Sequence, residues 1–258
     1  MLEAAGAPID QGRRQGVALR SEIESALHGV RARYGWLDWL GARRRAQRGP
    51  GRTLARYLPQ QHERLQGIAD AAHVPLAALE LLETVQRVAG VGSAKAGQLE
   101  VSFDLHPDVM PFLLIRRSAP DAGGVPSLEL TAAPWAGCLA GVNAEGIALA
   151  CLEDRGLREP TLRLLAQDLL FRACALEPAL DHLRRRAAYV GGAGLLLLVD
   201  AKGGALHAQL GAGGLRLEEA AAPGAMAAEP TLRIDAAQRT LLWRDAAGRA
   251  HEGQLTHG

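Results

Sequence analysis

"TVQRVAGVGSAKAGQLEVSFDL", Thr84 to Leu105, decides the fold. Its first residues finish a helical run that starts at "HVPLAALELLE", with Pro75 near the beginning and Gly90 at the end. Its last eight residues, "QLEVSFDL", alternate instead, placing Leu99, Val101, Phe103 and Leu105 on one side. "SAKAGQ" reads as the turn of a hairpin between a short first strand and this second one. The hydrophobic period thus changes from helix to strand near residue 90. That divides one domain of 258 residues into a helical part, 1–90, and a strand-rich part, 91–258.

Upstream, Pro8 and Asp10 suit the first turn of a helix through "IDQGRRQGVALRSEIESALHGVRARYGWL". Gly12 and Gly16 lie four apart on one face of it, where a second backbone can approach closely. Gly49-Pro50-Gly51 is expected to break the chain, leaving Arg43, Arg44, Arg45 and Arg48 solvated. A further helix is expected from Leu54 to Ala72.

Downstream, "PFLLIRRS" and "SLELTAAP" pair around "APDAGGVP", and "GCLAGVNAEGIALACLE" reads as strand, turn, strand. Asn143 suits a tight turn needing positive φ. "EPTLRLLAQDLLFRACALEPALDHLRRRA" returns to helical period as two helices broken near Pro178. "GLLLLVDAKGGALHAQLG" is a hairpin with Asp200 at its turn, and "TLRIDAAQRTLLWRDAAGRAHEGQL" supplies the last strands. The order of helices, strands, helices and strands predicts an α+β class: a four-layer αββα sandwich of two antiparallel sheets between helices.

The apolar fraction of 48% is ample for a core, and the formal charge of +1 offers no general attraction for nucleic acid. Of 29 basic residues only Lys95 and Lys202 are lysines, which reads as coding bias rather than recognition. Cys138, Cys151 and Cys174 have neither a disulfide nor a zinc spacing and read as reduced, buried thiols. A reactive Cys138 would need positive charge nearby, which the sequence does not display. Eight scattered histidines make no HxH or HExxH pattern, so no metal or other cofactor is expected. The N-terminus shows no signal-peptide pattern and the longest apolar run is too short to span a bilayer, so the expectation is a cytoplasmic protein without membrane contact.

Four blocks, in order, resemble the acyl-coenzyme A:6-aminopenicillanic acid acyltransferase family. "GAPIDQGRRQGVALRSEI" is similar to its Gly-x-Pro-x-x-x-Gly-x-x-x-Gly opening helix. "AGCLAGVNAEGIALA" is similar to its Gly-x-Asn-Glu-x-Gly-Leu hairpin with Ala144 inserted. "EPTLRLLAQDLLFRACALEPALDHLRR" and "GLLLLVDAKGGALHAQL" resemble the following helical pair and the later hairpin. The resemblance implies an N-terminal-nucleophile hydrolase fold. It also implies self-cleavage before a cysteine whose own amine is the base for amide hydrolysis or acyl transfer.

Aligned on that family, Gly-Cys-Thr falls on Gly90-Val91-Gly92, so Val91 occupies the nucleophile position. The family's Arg-Asn-x-Asp falls on Val101-Ser102-Phe103-Asp104, keeping only the aspartate, and Gln209 stands where the family often has Glu. A valine has no lone pair with which to cut the chain or accept an acyl group. The expectation is therefore a divergent pseudoenzyme that binds a small acyl or amide ligand, or a partner protein, around Val91, Ser102, Asp104 and Asn143. The alternative shifts the alignment by two. Cleavage before Ser93 would then make a terminal serine nucleophile, with Asp104 orienting its amine, in an active amide hydrolase or acyltransferase. A third reading is a homo-oligomer built through the helical half, where Tyr34, Trp36 and Trp39 cluster.

Overall fold

The computed structural model describes residues 1–34, 36–85, 88–121, 123–153, 161–187, 193–211, 214–219, 231–245 and 247–255. It opens with a strand the sequence reading lacks, β1 (Leu2–Gly6), followed by six helices: α1 (Pro8–Ala18), α2 (Arg20–Arg31), α3 (Trp36–Ala46), α4 (Arg52–Tyr57), α5 (Pro59–Ala72) and α6 (Leu76–Val85). Next come β2 (Val88–Lys95), β3 (Gln98–Leu105), β4 (Leu113–Pro120), β5 (Ser127–Ala132), β6 (Ala140–Asn143) and β7 (Ile147–Glu153). Helices α7 (Leu162–Arg172) and α8 (Leu176–Arg186) precede β8 (Gly194–Asp200), β9 (Ala205–Gly211), β10 (Gly214–Glu219), β11 (Leu232–Asp235), β12 (Thr240–Arg244) and β13 (Ala250–Gln254).

The strands form two sheets with helices around them, in the α+β class expected. One sheet has the order β1-β4-β5-β6-β7-β8-β9-β10, and the other β13-β12-β11-β3-β2. All pairings are antiparallel except β1 with β4. The sheets stack through one core: Leu99, Val101, Ile234 and Leu241 from the five-stranded sheet meet Leu128, Leu130, Val142 and Leu197 from the eight-stranded one. Period two sends the alternate residues of the larger sheet to its other face. There Leu149, Leu196 and Leu198 meet Leu165 and Leu169 of α7. A third apolar cluster knits the N-terminal helices together through Ile23, Leu65, Ile68 and Leu82.

Local sequence explains where the helices part. The expected single first helix bends at Leu19, whose backbone leaves helical geometry (φ −124°, ψ 26°). The expected helix from Leu54 begins at Arg52 and is interrupted at Leu58, because a residue before proline is pushed out of the α region (φ −132°, ψ 59°). Gly49-Pro50-Gly51 does not break the chain. It lies in a π-helical turn, 47–51, that carries α3 into α4. Arg44, Arg45 and Arg48 are exposed as expected, while Arg43 is half-buried. The later helical pair breaks at 173–175, ahead of Pro178, which sits in the first turn of α8 where its missing N–H is harmless. The start of that run, Glu159 and Pro160, lies outside the described residues. Trp39 is buried, with the Tyr34 ring 5.8 Å away, so this pair packs the helical core; the Trp36 side chain lies outside the described ones.

The Gly12–Gly16 face does receive another backbone. A Cβ on Gly12 would collide with the Arg64 carbonyl of α5, and one on Gly16 would stand 2.6 Å from the Ile68 carbonyl oxygen. Gly67 returns the contact against the Ile9 carbonyl. Helices α1 and α5 therefore touch main chain to main chain. Gly16→Ala should lower the free energy of unfolding by about 1–3 kcal/mol in urea titration, the usual range for overpacking a tight contact. An unchanged midpoint and slope would contradict this packing.

Candidate functional site

The residues singled out around the helix-to-strand junction come together, but on an open surface. Strand β2 starts at Val88, three residues before the position read as its start, and runs unbroken to Lys95. It forms the edge of the five-stranded sheet. The hairpin turn is tighter than "SAKAGQ": Ala96 (φ 48°) and Gly97 (φ 81°) alone make it. In the ladder Val91 faces Ser102, Ala89 faces Asp104 and Ser93 faces Glu100. Val88 and Ala94 point into the sandwich core, so Val91 and Ser93 point the other way. Val91 is 60% exposed and Asp104 is exposed, whereas Ser93 and Ser102 are half-buried. The Gly92–Ser93 peptide sits within the paired strand, with Gly92 opposite Val101.

Asn143 does not join this group. It is buried at the end of β6 in the other sheet, donating to the carbonyls of Leu170 (3.0 Å) and Ala173 (2.7 Å) and accepting from the Ile147 N–H (2.9 Å). Positive φ in its turn belongs to Gly146, not to Asn143. Asn143 thus anchors α7 to the β6–β7 hairpin. Asp200 caps its own hairpin, accepting from the Lys202 and Gly204 N–H groups at 3.0 and 2.8 Å. Gln209 is exposed on β9. Of the three thiols only Cys138 and Cys151 are buried, and Cys174 is exposed.

The densest polar constellation lies elsewhere, sealed between helices and the eight-stranded sheet. Arg116 of β4 and Glu129 of β5 are direct cross-strand partners. Both are wholly buried and joined at 2.8 and 2.5 Å. Arg116 also donates to Gln15 of α1 (2.7 Å) and to the carbonyls of Trp135 (3.0 Å) and Ala136 (2.9 Å). Glu129 accepts from Ser127 (2.6 Å) and Gln167 of α7 (3.4 Å), and Arg64 of α5 stands 3.6 Å from it. Arg64 in turn donates to Gln11 of α1. Beside this pair, Glu83 of α6 accepts from the Ala136 N–H (2.7 Å), and the Arg163 guanidinium of α7 lies 4.1 Å over the Trp135 ring.

Electrostatics follow from this enclosure. Burial would raise the Glu129 carboxyl, but Arg116, Arg64 and the Ser127 hydroxyl outweigh it and hold it below the ordinary carboxylate range. Burial and the Arg116 charge bring Arg64 down to about 9, so it stays charged at neutral pH. Cys138 does have positive charge nearby, contrary to the expectation. Burial, reinforced by Glu129 and Cys151, nevertheless prevails over Arg64 and Arg116, so its thiol is pushed well up and stays protonated. Arg116 spends its donors within the cluster, while Arg64 Nη1 and Trp135 Nε1 find no acceptor among the described residues; the whole is shut from solvent, which suits it to joining elements. Among the described residues no group of histidine, cysteine and carboxylate side chains could hold a metal ion. None of their helices is long and apolar enough to cross a membrane.

Glu129→Gln should cost about 3–5 kcal/mol at pH 7 by denaturant unfolding, the range for leaving a buried charge unpaired. The folded pKa of Glu129 is depressed, so its contribution is complete above the unfolded value of about 4.5 and fades as pH falls through the folded value. The two proteins should therefore converge in stability on acidification. A pH-independent difference would contradict the charge pairing.

No protein family and no curated protein matches this chain. Among solved structures it is similar to penicillin V acylase from Agrobacterium tumefaciens, at 10% identity and a TM-score of 0.40, over 66% of this chain and 81% of that one. The likeness is so distant that the activity of that enzyme does not transfer to this chain.

Proposed function

We propose that this chain is a divergent relative of the acyltransferase and amide-hydrolase group that keeps a two-sheet scaffold and acts by binding, without cysteine-nucleophile chemistry. The observation that supports this most is Val91. Where the resemblance puts the nucleophile, an isopropyl group stands 60% exposed on an edge strand. It has no lone pair to attack a carbonyl and no proton to pass to a base. The neighbouring Ser102 and Asp104 share its open face, without the arginine the family pattern would place at Val101. The ligand class that fits the scaffold reading is a small acyl or amide compound, or a partner protein.

The purified protein should remain one chain of 27.3 kDa by intact mass. A fluorophosphonate should leave Ser93 unlabelled, and iodoacetamide under native conditions should modify Cys174 alone, the exposed thiol. A fragment beginning at Ser93 with a free amine, labelled by the fluorophosphonate, would overturn this reading. It would establish instead an active hydrolase or acyltransferase with a serine nucleophile.

A further inference from the structure

The helical half holds a second constellation, separate from β2–β3 and from the sealed seam. A cleft of about 380 Å³ opens beside the π-helical turn, lined by Arg48, Arg52, Ala55, His62, Leu76 and Glu80, among others. Its volume falls within the range of small-ligand sites. Glu80 of α6 has a side chain only 4% exposed, and its Oε2 has no hydrogen-bond partner. The nearest basic atom, His62 Nε2, is 3.9 Å from Oε1, beyond hydrogen-bond reach. A buried carboxyl with no donor is costly unless something supplies one.

The surroundings keep this carboxyl open to the cleft. Gly51, in the π-helical turn, lies so close that a Cβ there would collide with Oε1. Such turns recur at functional sites. Burial pushes the Glu80 carboxyl up and the His62 imidazole down, although Glu63 pulls His62 back. At the rim, Arg48 and Arg52 are exposed, and neither has an ion-pair partner among the described residues. The cleft therefore presents a buried acid without a donor and two exposed cations with no ion-pair partner among the described residues, with Leu76 and Ala55 as its apolar lining.

We infer that this cleft binds a small zwitterion of the α-amino-acid type, with its carboxylate on Arg48 and Arg52, its ammonium on Glu80, and its side chain along Leu76 and Ala55. Guanidinium groups match a carboxylate in both charge and fork geometry. An ammonium beside Glu80 supplies the missing donor and favours the ionised carboxylate. A simple acid would leave buried Glu80 without a donor, and a simple amine would gain nothing from the two arginines. The site stands whether or not the chain is catalytically silent at Val91.

The test titrates the full chain with glycine, L-leucine and L-phenylalanine, each beside its deaminated acid and its decarboxylated amine, by calorimetry and saturation-transfer NMR. At least one zwitterion should bind, with its acid and amine each weaker by about tenfold or more, as loss of a charge-assisted contact implies. Glu80→Gln and Arg52→Ala should each weaken binding by a similar factor. Arg52 is exposed, so its variant keeps the test decisive if Glu80→Gln fails to fold. Binding of no zwitterion, binding unchanged in Arg52→Ala, or equal binding of the plain acid would overturn the assignment.

Discussion

The buried ion pair between Arg116 and Glu129 is the constraint around which the rest is arranged. The two residues face each other across adjacent strands, on the side of the eight-stranded sheet that the helices cover. Taking both charges out of water is expensive and tolerable only when nearly every donor and acceptor is met. That requirement brings in Gln15 from α1, Gln167 from α7, Arg64 from α5 and the carbonyls of the 135–137 segment. Gln11 and Gln15 share α1 with Gly12 and Gly16, so the main-chain contact between α1 and α5 belongs to the same junction. Removing one partner of such a pair leaves the other charge buried and uncompensated, which ties these elements to one another.

This arrangement separates the molecule's chemistry into two places. The seam is rich in charge, hydrogen bonds and a cysteine, yet it is sealed, its Arg116–Glu129 pair is met from within, and its thiol is held in the protonated form. The edge hairpin β2–β3 is open to solvent, but Val91, exposed there, has no reactive atom. Neither combines an accessible reactive atom with an unmet polar group. The cleft by the π-helical turn offers the second of these, a buried carboxyl without a donor.

Much of the fold is legible in the sequence because hydrophobic period survives in it. "QLEVSFDL" alternates as β3 does, "GLLLLVDAKGGALHAQLG" turns at Asp200 as read, and Gly12 with Gly16 announces a close backbone. The seam is hidden for a physical reason. Arg116 in "LLIRRS" and Glu129 in "SLELT" look like polar residues on a solvated strand face, and only the helical layer makes that face an interior. β1 is missed because "LEAAG" has little alternation and pairs with a strand more than a hundred residues away. Asn143 reads as a turn former because its composition is that of one, whereas its amide is spent on the end of α7. Glu80 looks like any helix-surface glutamate until the π-helical turn and α5 enclose it.

The central claim is that the seam makes helices and sheet one cooperative unit. Native-state hydrogen exchange, followed across α1, α5, α7, β4 and β5, addresses it directly. The account predicts that the slowest amides of all five elements open with a common free energy, equal to that of global unfolding. Exchange of α1 and α5 at a distinctly lower free energy, with β4 and β5 still protected, would contradict it.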